Sequence, residues 1–384
     1  MPNRNIYSWN NIIGEFSRSP FPERSIELFL QMRKTDISPD VYNLPLVIRA
    51  CASTGMIRHG MWIHGSSVKL GFEMNLFVAS ALVFFYVTTG KIFYARKVFD
   101  GMSERDAVLW TSMLAGYAQH GEPLLSLELY RKMVSEGVQL DSVVMVSLLL
   151  VCSQLRWFQH GKSVHGWCVR KCLGLGLSLG NALVDMYVKC SSLGGAYNVF
   201  VRTPARDVIS WSTLIAGYGL NGSPTVALDL FEQMRASGIK PNDVTFLGVL
   251  SACAHAGMVD RAREFMDMMK DCGVTTELKH FACVVDCLAK AGLIEEAERF
   301  IDEMPVSPDA AVLGALLGGC RVHGNVEVAE RVAKKLLRLE PERSGYYVLL
   351  ANIYAESGRH SDAEKMWKLM KQRNVSKVPG CSQI

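Results

Sequence analysis

A chain of 384 residues that is 49% hydrophobic and 20% charged holds too much apolar material to stay disordered, and no apolar run approaches the roughly 20 residues of a membrane-spanning helix. The net charge of +4 is unevenly placed: residues 310–384 carry 12 Lys and Arg against 7 Asp and Glu, leaving 29 against 30 in 1–309, so charge alone builds no basic sheath for a polyanion. The 11 cysteines form no C-x-x-C pair, and the i,i+4 pairs Cys168/Cys172 and Cys283/Cys287 lack a matching His–Cys set, so no metal site or metal cofactor is expected. Their odd number points to free thiols in a reducing compartment.

Residues 1–5, MPNRN, lack both an apolar signal core and an Arg/Ser-rich amphipathic helix, so no transit peptide is visible. Met1-Pro2 aligns with Met102-Ser103 and Asn5 with Asp106, which reads as the remnant of a preceding short repeat and a start inside an array. A unit then runs from 6 to 40, opening on Ser8-Trp9 and ending on Asp40. It is followed by 41–75, with Cys51 and His64-Gly65, and by a shorter 76–106, with Ala81-Leu82-Val83 and a closing Arg105-Asp106. The same marks return 101 residues later, at Leu109-Trp110, Asp141, Cys152, His165-Gly166, Ala182-Leu183-Val184 and Arg206-Asp207, which sets units 107–141, 142–176 and 177–207. A register held by this many residue types is an internal repeat. Cys51, Cys152 and Cys253 follow apolar pairs inside helices, the place of a small buried hydrophobe.

The stretch 208–242 displays the unit most clearly. Trp211, Leu214, Ile215 and Tyr218 fall at i, i+3, i+4 and i+7, one apolar stripe of a helix. Asn221-Gly222 breaks the pattern, Ser223 stands as an N-cap and Pro224 occupies the first helical position, where its missing N–H costs nothing. Ala227, Leu230, Phe231 and Met234 repeat the stripe, and Gly238 with Pro241 ends it. One such hairpin cannot bury its apolar faces without neighbours. Units 243–278 and 279–309 follow, then two helical pairs of different flavour at 310–343 and 344–377, and finally Pro379-Gly380-Cys381-Ser382-Gln383-Ile384. The pattern predicts an all-α, right-handed α-solenoid of antiparallel helix-turn-helix repeats, with no strands.

Units such as VISWSTLIAGYGLNGSPTVALDLFEQMRASGIKPN resemble pentatricopeptide repeats, and the alternation of 35-residue, long and 31-residue short units resembles the PLS subclass of plant organelles. ALVDMYVKCSSLGGAYNVF (182–200), VLSACAHAGMVDRA (249–262) and CLAKAGLIEEAERFIDEMP (287–305) are typical of it. Residues 310–343 and 344–377 are similar to its two E motifs, and 378–384 to the seam where further segments begin. The resemblance covers essentially the whole chain. It implies sequence-specific binding of single-stranded organellar RNA, about one base per repeat, and site selection in C-to-U editing in the mitochondrion or the chloroplast.

The family's base-reading positions are the fifth and last residues of a unit. Carried over, they are Asn10/Asp40, Ser80/Asp106, Thr111/Asp141, Asn181/Asp207 and Ser212/Asn242, with Tyr7, Val108 and Ile209 flanking the bases. Asp only accepts, which suits the N–H of U and G, whereas Asn offers a donor to A or C. A short hydroxyl at the fifth position resembles the purine-reading form and Asn the pyrimidine-reading form. The implied core, 5′ to 3′, is U-N-G-G-N-U-A-N-N upstream of the edited C. Each reader has a plainer role available, since Asp or Asn ahead of a helix is a good N-cap. Pro45, Val146 and Leu247 in the long units offer no side-chain hydrogen bond to a base, and Cys283/Asp309 is an ambiguous pair.

Cytidine deamination needs H-x-E followed by P-C-x-x-C. His120-Gly121-Glu122 matches the first part by letters but falls in a hairpin turn, and no second part follows. The chain therefore reads as no enzyme, without cofactor, small-molecule substrate or membrane partner. A deaminase-domain protein or another editing factor would be recruited in trans through 310–377, although Lys365, Lys368, Lys371 and Arg373 there could touch RNA phosphates instead. The alternative function is a protein–protein scaffold without RNA specificity, because tetratricopeptide repeats are helix pairs of similar length and LLRLEP (336–341) ends in their style.

Overall fold

The computed structural model of the chain describes residues 5–35, 37–373 and 375. The expected remnant at Met1-Pro2 and the seam at 378–384 lie outside the described residues. These contain 22 helices and no strand. The chain divides into two compact units, 1–190 and 191–384.

In the first unit helices pair as hairpins: α1 (Ile6–Ser17) with α2 (Glu23–Lys34), α3 (Asn43–Ser53) with α4 (Ile57–Lys69), and α5 (Leu76–Thr88) with α6 (Ile92–Gly101). Next come α7 (Ala107–Gln119) with α8 (Pro123–Ser135), α9 (Ser142–Gln154) with α10 (Phe158–Arg170), and then α11 (Leu177–Lys189). The second unit opens with α12 (Leu193–Arg202), followed by α13 (Val208–Leu220) with α14 (Pro224–Ala236) and α15 (Asp243–Ala256) with α16 (Val259–Asp271). It closes with α17 (Leu278–Lys290) and α18 (Ile294–Asp302), α19 (Ala310–His323) and α20 (Val326–Leu339), and α21 (Ser344–Glu356) and α22 (His360–Gln372). Within each unit a first helix packs on the first helices before and after it, and a second helix packs on the next hairpin's first helix. This is the all-α solenoid that the repeat predicts, with a core built from nearest neighbours.

The sequence marks have identifiable jobs. Trp110 and Trp211 are buried, each edge-on to a phenylalanine of the preceding helix, Phe99 at 4.9 Å and Phe200 at 4.7 Å. The Arg-Asp tag joins two helix ends. Arg105 donates to the Phe99 carbonyl at 3.0 Å and Arg206 to the Phe200 carbonyl at 2.9 Å, so each arginine caps the helix behind it. Asp106 and Asp207 cap the helix ahead, accepting from the Leu109 and Ser210 N–H at 2.8 and 2.9 Å. Cys51, Cys152 and Cys253 are buried, and burial pushes their thiols up to about 12, 11 and 12 respectively, which keeps them protonated and unreactive.

Among the described residues three that are not glycine carry positive φ: Arg156 at 52°, Cys172 at 51° and Ser191 at 58°. Each lies 101 residues from glycines that take the same turn on either side, Gly55 and Gly257, Gly71 and Gly273, Gly90 and Gly292. The middle block has therefore kept the left-handed turns and lost the residue that adopts them without strain.

Candidate nucleic-acid interface

The second residue of most units points outward. Tyr7, Tyr42 and Phe77 are 74%, 71% and 73% exposed, and Val108, Val143, Ile209 and Val244 are exposed too. An unburied apolar side chain recurring at one place in successive repeats within each compact unit is a surface against which planar groups can stack. Sequence reasoning named Tyr7, Val108 and Ile209 and passed over Tyr42, Phe77, Val143 and Val244. The 35-residue spacing of 7, 42 and 77 was the available signal.

Beside that row stand the fifth and last residues. The last residues do cap helices, as their plainer reading holds, but with only one side-chain atom. Asp106 Oδ1 takes the Leu109 N–H, and Asp141 Oδ1 takes the N–H groups of Val143 and Val144, both at 3.0 Å. In each case Oδ2 makes no bond among the described residues. Asn242 Oδ1 accepts from the Thr245 N–H at 2.9 Å and from the Thr245 hydroxyl at 2.8 Å. Since only an oxygen accepts there, the Nδ2 amide is turned the other way, and it has no partner among the described residues. Capping thus leaves an acceptor at Asp106 and Asp141 and a donor at Asn242.

The fifth residues differ from one another. Asn10 is held from both sides: its Nδ2 donates to Asp40 Oδ2 at 2.9 Å, and its Oδ1 accepts from Asn43 Nδ2 at 3.0 Å. Asn43, fully buried, also accepts the Asp40 N–H at 3.1 Å and donates its own N–H to Asp40 Oδ1 at 2.8 Å. Asn10/Asp40 is therefore a closed pair set in place by a third residue. Ser212 donates to the Val208 carbonyl at 2.6 Å and lies 2.7 Å from the Thr245 hydroxyl and 3.3 Å from Asn242 Oδ1. Thr245 stands where Asn43 stands, third in its unit. Thr111 turns its hydroxyl back to the Ala107 and Val108 carbonyls at 2.9 and 3.0 Å, and it makes no bond to Asp141. Ser80 is 8% exposed and its hydroxyl has no partner among the described residues. Asn181, half-buried on α11, and Asp207, ahead of α13, lie in different compact units.

The long units are less equipped. Pro45, Val146 and Leu247 are half-buried apolar side chains. The last residue Asn75, missed in the sequence, resembles Asn242: its Oδ1 caps Phe77 and Val78 at 3.1 and 3.2 Å, leaving the amide outward. Towards the C-terminus α17 begins at Leu278, with Glu277 as its N-cap. That is one residue ahead of the boundary expected after 278, and it makes Ala282 rather than Cys283 the fifth residue. The 101-residue period from Leu76 and Leu177 already pointed to 278. The second residue there is Lys279, ion-paired to Asp243 at 2.7 Å instead of exposed and apolar. Gly314 and Val348, fifth in α19 and α21, carry no hydrogen-bonding side chain.

His120-Gly121-Glu122 lies between α7 and α8, with His120 Nδ1 on the Gly116 carbonyl at 2.8 Å and Gly121 at φ 76°. Among the described residues no three His, Cys, Asp or Glu side chains are grouped to hold a metal ion, and no helix is long and apolar enough to cross a membrane. Of the basic residues on α22, Lys365 pairs with Asp362 at 2.8 Å and Lys368 with Glu364 at 3.7 Å.

Family models match in four places: a PPR repeat at 108–138, the PPR repeat family at 206–255, a pentatricopeptide repeat-containing protein model at 243–307 and an E motif at 323–384. A pentatricopeptide repeat-containing protein of Arabidopsis thaliana is 55% identical over 385 residues, covering 100% of this chain and 81% of its own length. A second Arabidopsis relative, named mitochondrial, is 39% identical with 100% and 60% covered, and CRR2 of the same plant, named chloroplastic, is 37% identical with 98% and 58% covered. The chain spans about three fifths of the length of these last two. Among solved structures, the pentatricopeptide repeat protein PPR10 in complex with an 18-nt psaJ RNA element superposes with a TM-score of 0.73 at 17% identity, over 96% of this chain and 61% of that one.

Proposed function

Because the chain belongs to the pentatricopeptide repeat family, in its PLS subclass with E motifs, we propose that it is a sequence-specific single-stranded RNA-binding protein. In this reading it selects sites for C-to-U editing in an organelle, the mitochondrion or the chloroplast, and recruits a deaminase-domain protein in trans through 310–377. The observation that carries the proposal is the half-used cap. Asp106, Asp141 and Asn242 each fix one side-chain atom to the next helix and hold the other outward, beside an exposed apolar side chain. A pure scaffold gains nothing from that second atom. An RNA reader uses it as the acceptor or donor that meets a base edge, while the apolar row takes the base faces.

With Asn10/Asp40, Ser80/Asp106, Thr111/Asp141, Asn181/Asp207 and Ser212/Asn242 as readers, the proposed core is U-N-G-G-N-U-A-N-N, 5′ to 3′. Binding of the purified chain to RNAs varied at each position tests the register directly. Indifference to all nine positions of the core would leave only non-specific binding and sink the proposal. Editing itself is tested by sequencing organellar transcripts from a plant lacking the gene, where one or a few cytidines should remain unconverted. Deleting 310–384 should abolish editing and leave RNA affinity largely intact. Equal loss of both would move Lys365, Lys368, Lys371 and Arg373 to the RNA backbone.

A further inference from the structure

We infer that Arg49 is a third base-reading residue, which with Ser80 and Asp106 makes one position of the site specific for guanine; this rests on the RNA-binding reading above. A cavity of about 370 Å3 opens between the first helices α3, α5 and α7, lined by Tyr42, Pro45, Arg49, Phe77, Ser80 and Asp106 among others. Its aromatic walls, Tyr42 and Phe77, are among the most exposed rings of the chain. Pro45 and Arg49 are one helical turn apart on the same face of α3, so the guanidinium extends the inner surface where the proline offers nothing polar.

Three polar groups of this cavity are unengaged. The Ser80 hydroxyl is nine-tenths buried without a hydrogen bond, and Asp106 uses only Oδ1. Arg49 makes no ion pair or hydrogen bond among the described residues, although it shares the cavity with a carboxylate. A guanidinium and a carboxylate that line one aromatic-walled cavity without meeting leave room for a planar group between them. Guanine offers N1–H and N2–H groups on one edge and the O6 and N7 acceptors on the next. The first edge suits Asp106 Oδ2, and the second suits the fork of Arg49. Uracil keeps an N–H for Asp106 but has no N7. Adenine and cytosine turn a ring-nitrogen acceptor towards the carboxylate. Ser80 with Asp106 is a purine-reading pair, as Thr111 with Asp141 is at the next position, and Arg49 adds to guanine discrimination at this position alone. The residues 101 and 202 further on are Leu150 and Ser251, so this unit alone of the three carries the cation.

The test uses the full chain and RNA of the proposed core, with the third base as guanine, 7-deazaguanine, uracil, adenine or cytosine. Wild type should prefer guanine over uracil on the order of tenfold or more, the range of a bidentate arginine contact. Arg49→Gln and Arg49→Ala should lower that ratio about tenfold, to the one measured at the fourth base, and leave affinity for the uracil RNA nearly unchanged. 7-Deazaguanine should lower wild-type affinity and make no difference to the variants. Discrimination at the fourth base, read by Thr111/Asp141, should not move. Unaltered circular dichroism and thermal unfolding establish that the variants fold, as an exposed side chain without partners predicts. If both variants weaken all five RNAs equally and flatten the salt dependence, Arg49 holds a phosphate and the inference is wrong. If guanine preference at this base is undiminished in them, it is wrong as well. A wild type that distinguishes bases nowhere fails one step earlier, on RNA reading itself, and takes this inference with it.

Discussion

The two compact units join their hairpins by different means. In residues 1–190 every ion pair among the described residues runs three or four residues along the chain, as Arg24–Glu27 at 2.9 Å and Arg96–Asp100 at 2.7 Å do. Neighbouring hairpins there are linked by rings, His64 Nδ1 to the Tyr86 hydroxyl at 2.8 Å and His165 Nδ1 to the Tyr187 hydroxyl at 2.9 Å. In residues 191–384 ion pairs climb from one second helix to the next: Glu232–Arg261 at 4.0 Å, Glu296–Arg263, Glu298–Arg331 at 2.7 Å and Glu330–Arg359 at 2.7 Å. Over the same stretch the fifth residues lose their hydrogen-bonding side chains, from Ser212 to Ala282, Gly314 and Val348. The first unit keeps the exposed rings of Tyr7, Tyr42 and Phe77 and the unused oxygens of Asp106 and Asp141. The second keeps the outward amide of Asn242 near its start and, from there on, lays a charge ladder along its second helices.

Core truncations should test this division most strongly. Trp110→Ala and Phe231→Ala each remove a large buried ring, at about 3–5 kcal/mol. Because each hairpin packs on its neighbours, Trp110→Ala should lower amide-exchange protection mainly in 1–190 and Phe231→Ala mainly in 191–384. Equal loss in both units under either mutation would show the array to unfold as one body.

Next in size are the reading positions. Asn242→Asp exchanges the outward donor for an acceptor and should shift its base from A towards G by about 1–3 kcal/mol, leaving other positions alone. A uniform loss over all RNAs would mean that the residue only caps its helix. Asn43→Val removes the partner of Asn10 Oδ1 and of the Asp40 N–H, which should cost about 1–3 kcal/mol in stability and blur U at the first position. Affinity measured against all four first bases separates the two effects, since a purely structural role would leave the U preference intact.

A smaller gain is expected from glycine at the three strained turns. Arg156→Gly, Cys172→Gly and Ser191→Gly should each raise stability by about 0.5–1 kcal/mol, the left-handed penalty less the entropy that glycine adds to the unfolded chain. Denaturant midpoints measure this, and a loss at all three would contradict the strain.

The smallest effects come from salt and pH, and they fall on different units. Raising salt should reduce exchange protection in the outer helices of 191–384 and spare those of 1–190, because exposed pairs are screened. Burial holds the His64 imidazole below its ordinary 6.5, so the neutral ring is favoured in the folded state. That stability is fully present above pH 6.5 and is lost as pH falls through the lowered folded value. Melting of 1–190 should therefore drop in mild acid, and His64→Gln should weaken the dependence.

Much of this was legible from residue order alone. The 3.6-residue stripes, the Gly and Pro stops and the 101-residue period fixed which segments are helices and how they pair, because helix formation and capping join residues only a few positions apart. The buried place of Cys51, Cys152 and Cys253 followed from the same phase. So did the cap position of Asp106, Asp141, Asp207 and Asn242.

Only the folded chain decided that Asn10 meets Asp40 while Thr111 turns away from Asp141. It also decided that Asn10 is locked by Asn43, 33 residues away, and that Asp106 and Arg49 share a cavity without pairing. The physical reason is range. A helix cap is a bond across two or three residues that the local sequence spells out, whereas the pairing of Asn10 with Asp40 and Asn43 joins side chains 30 and 33 residues apart that meet only after hairpins have stacked.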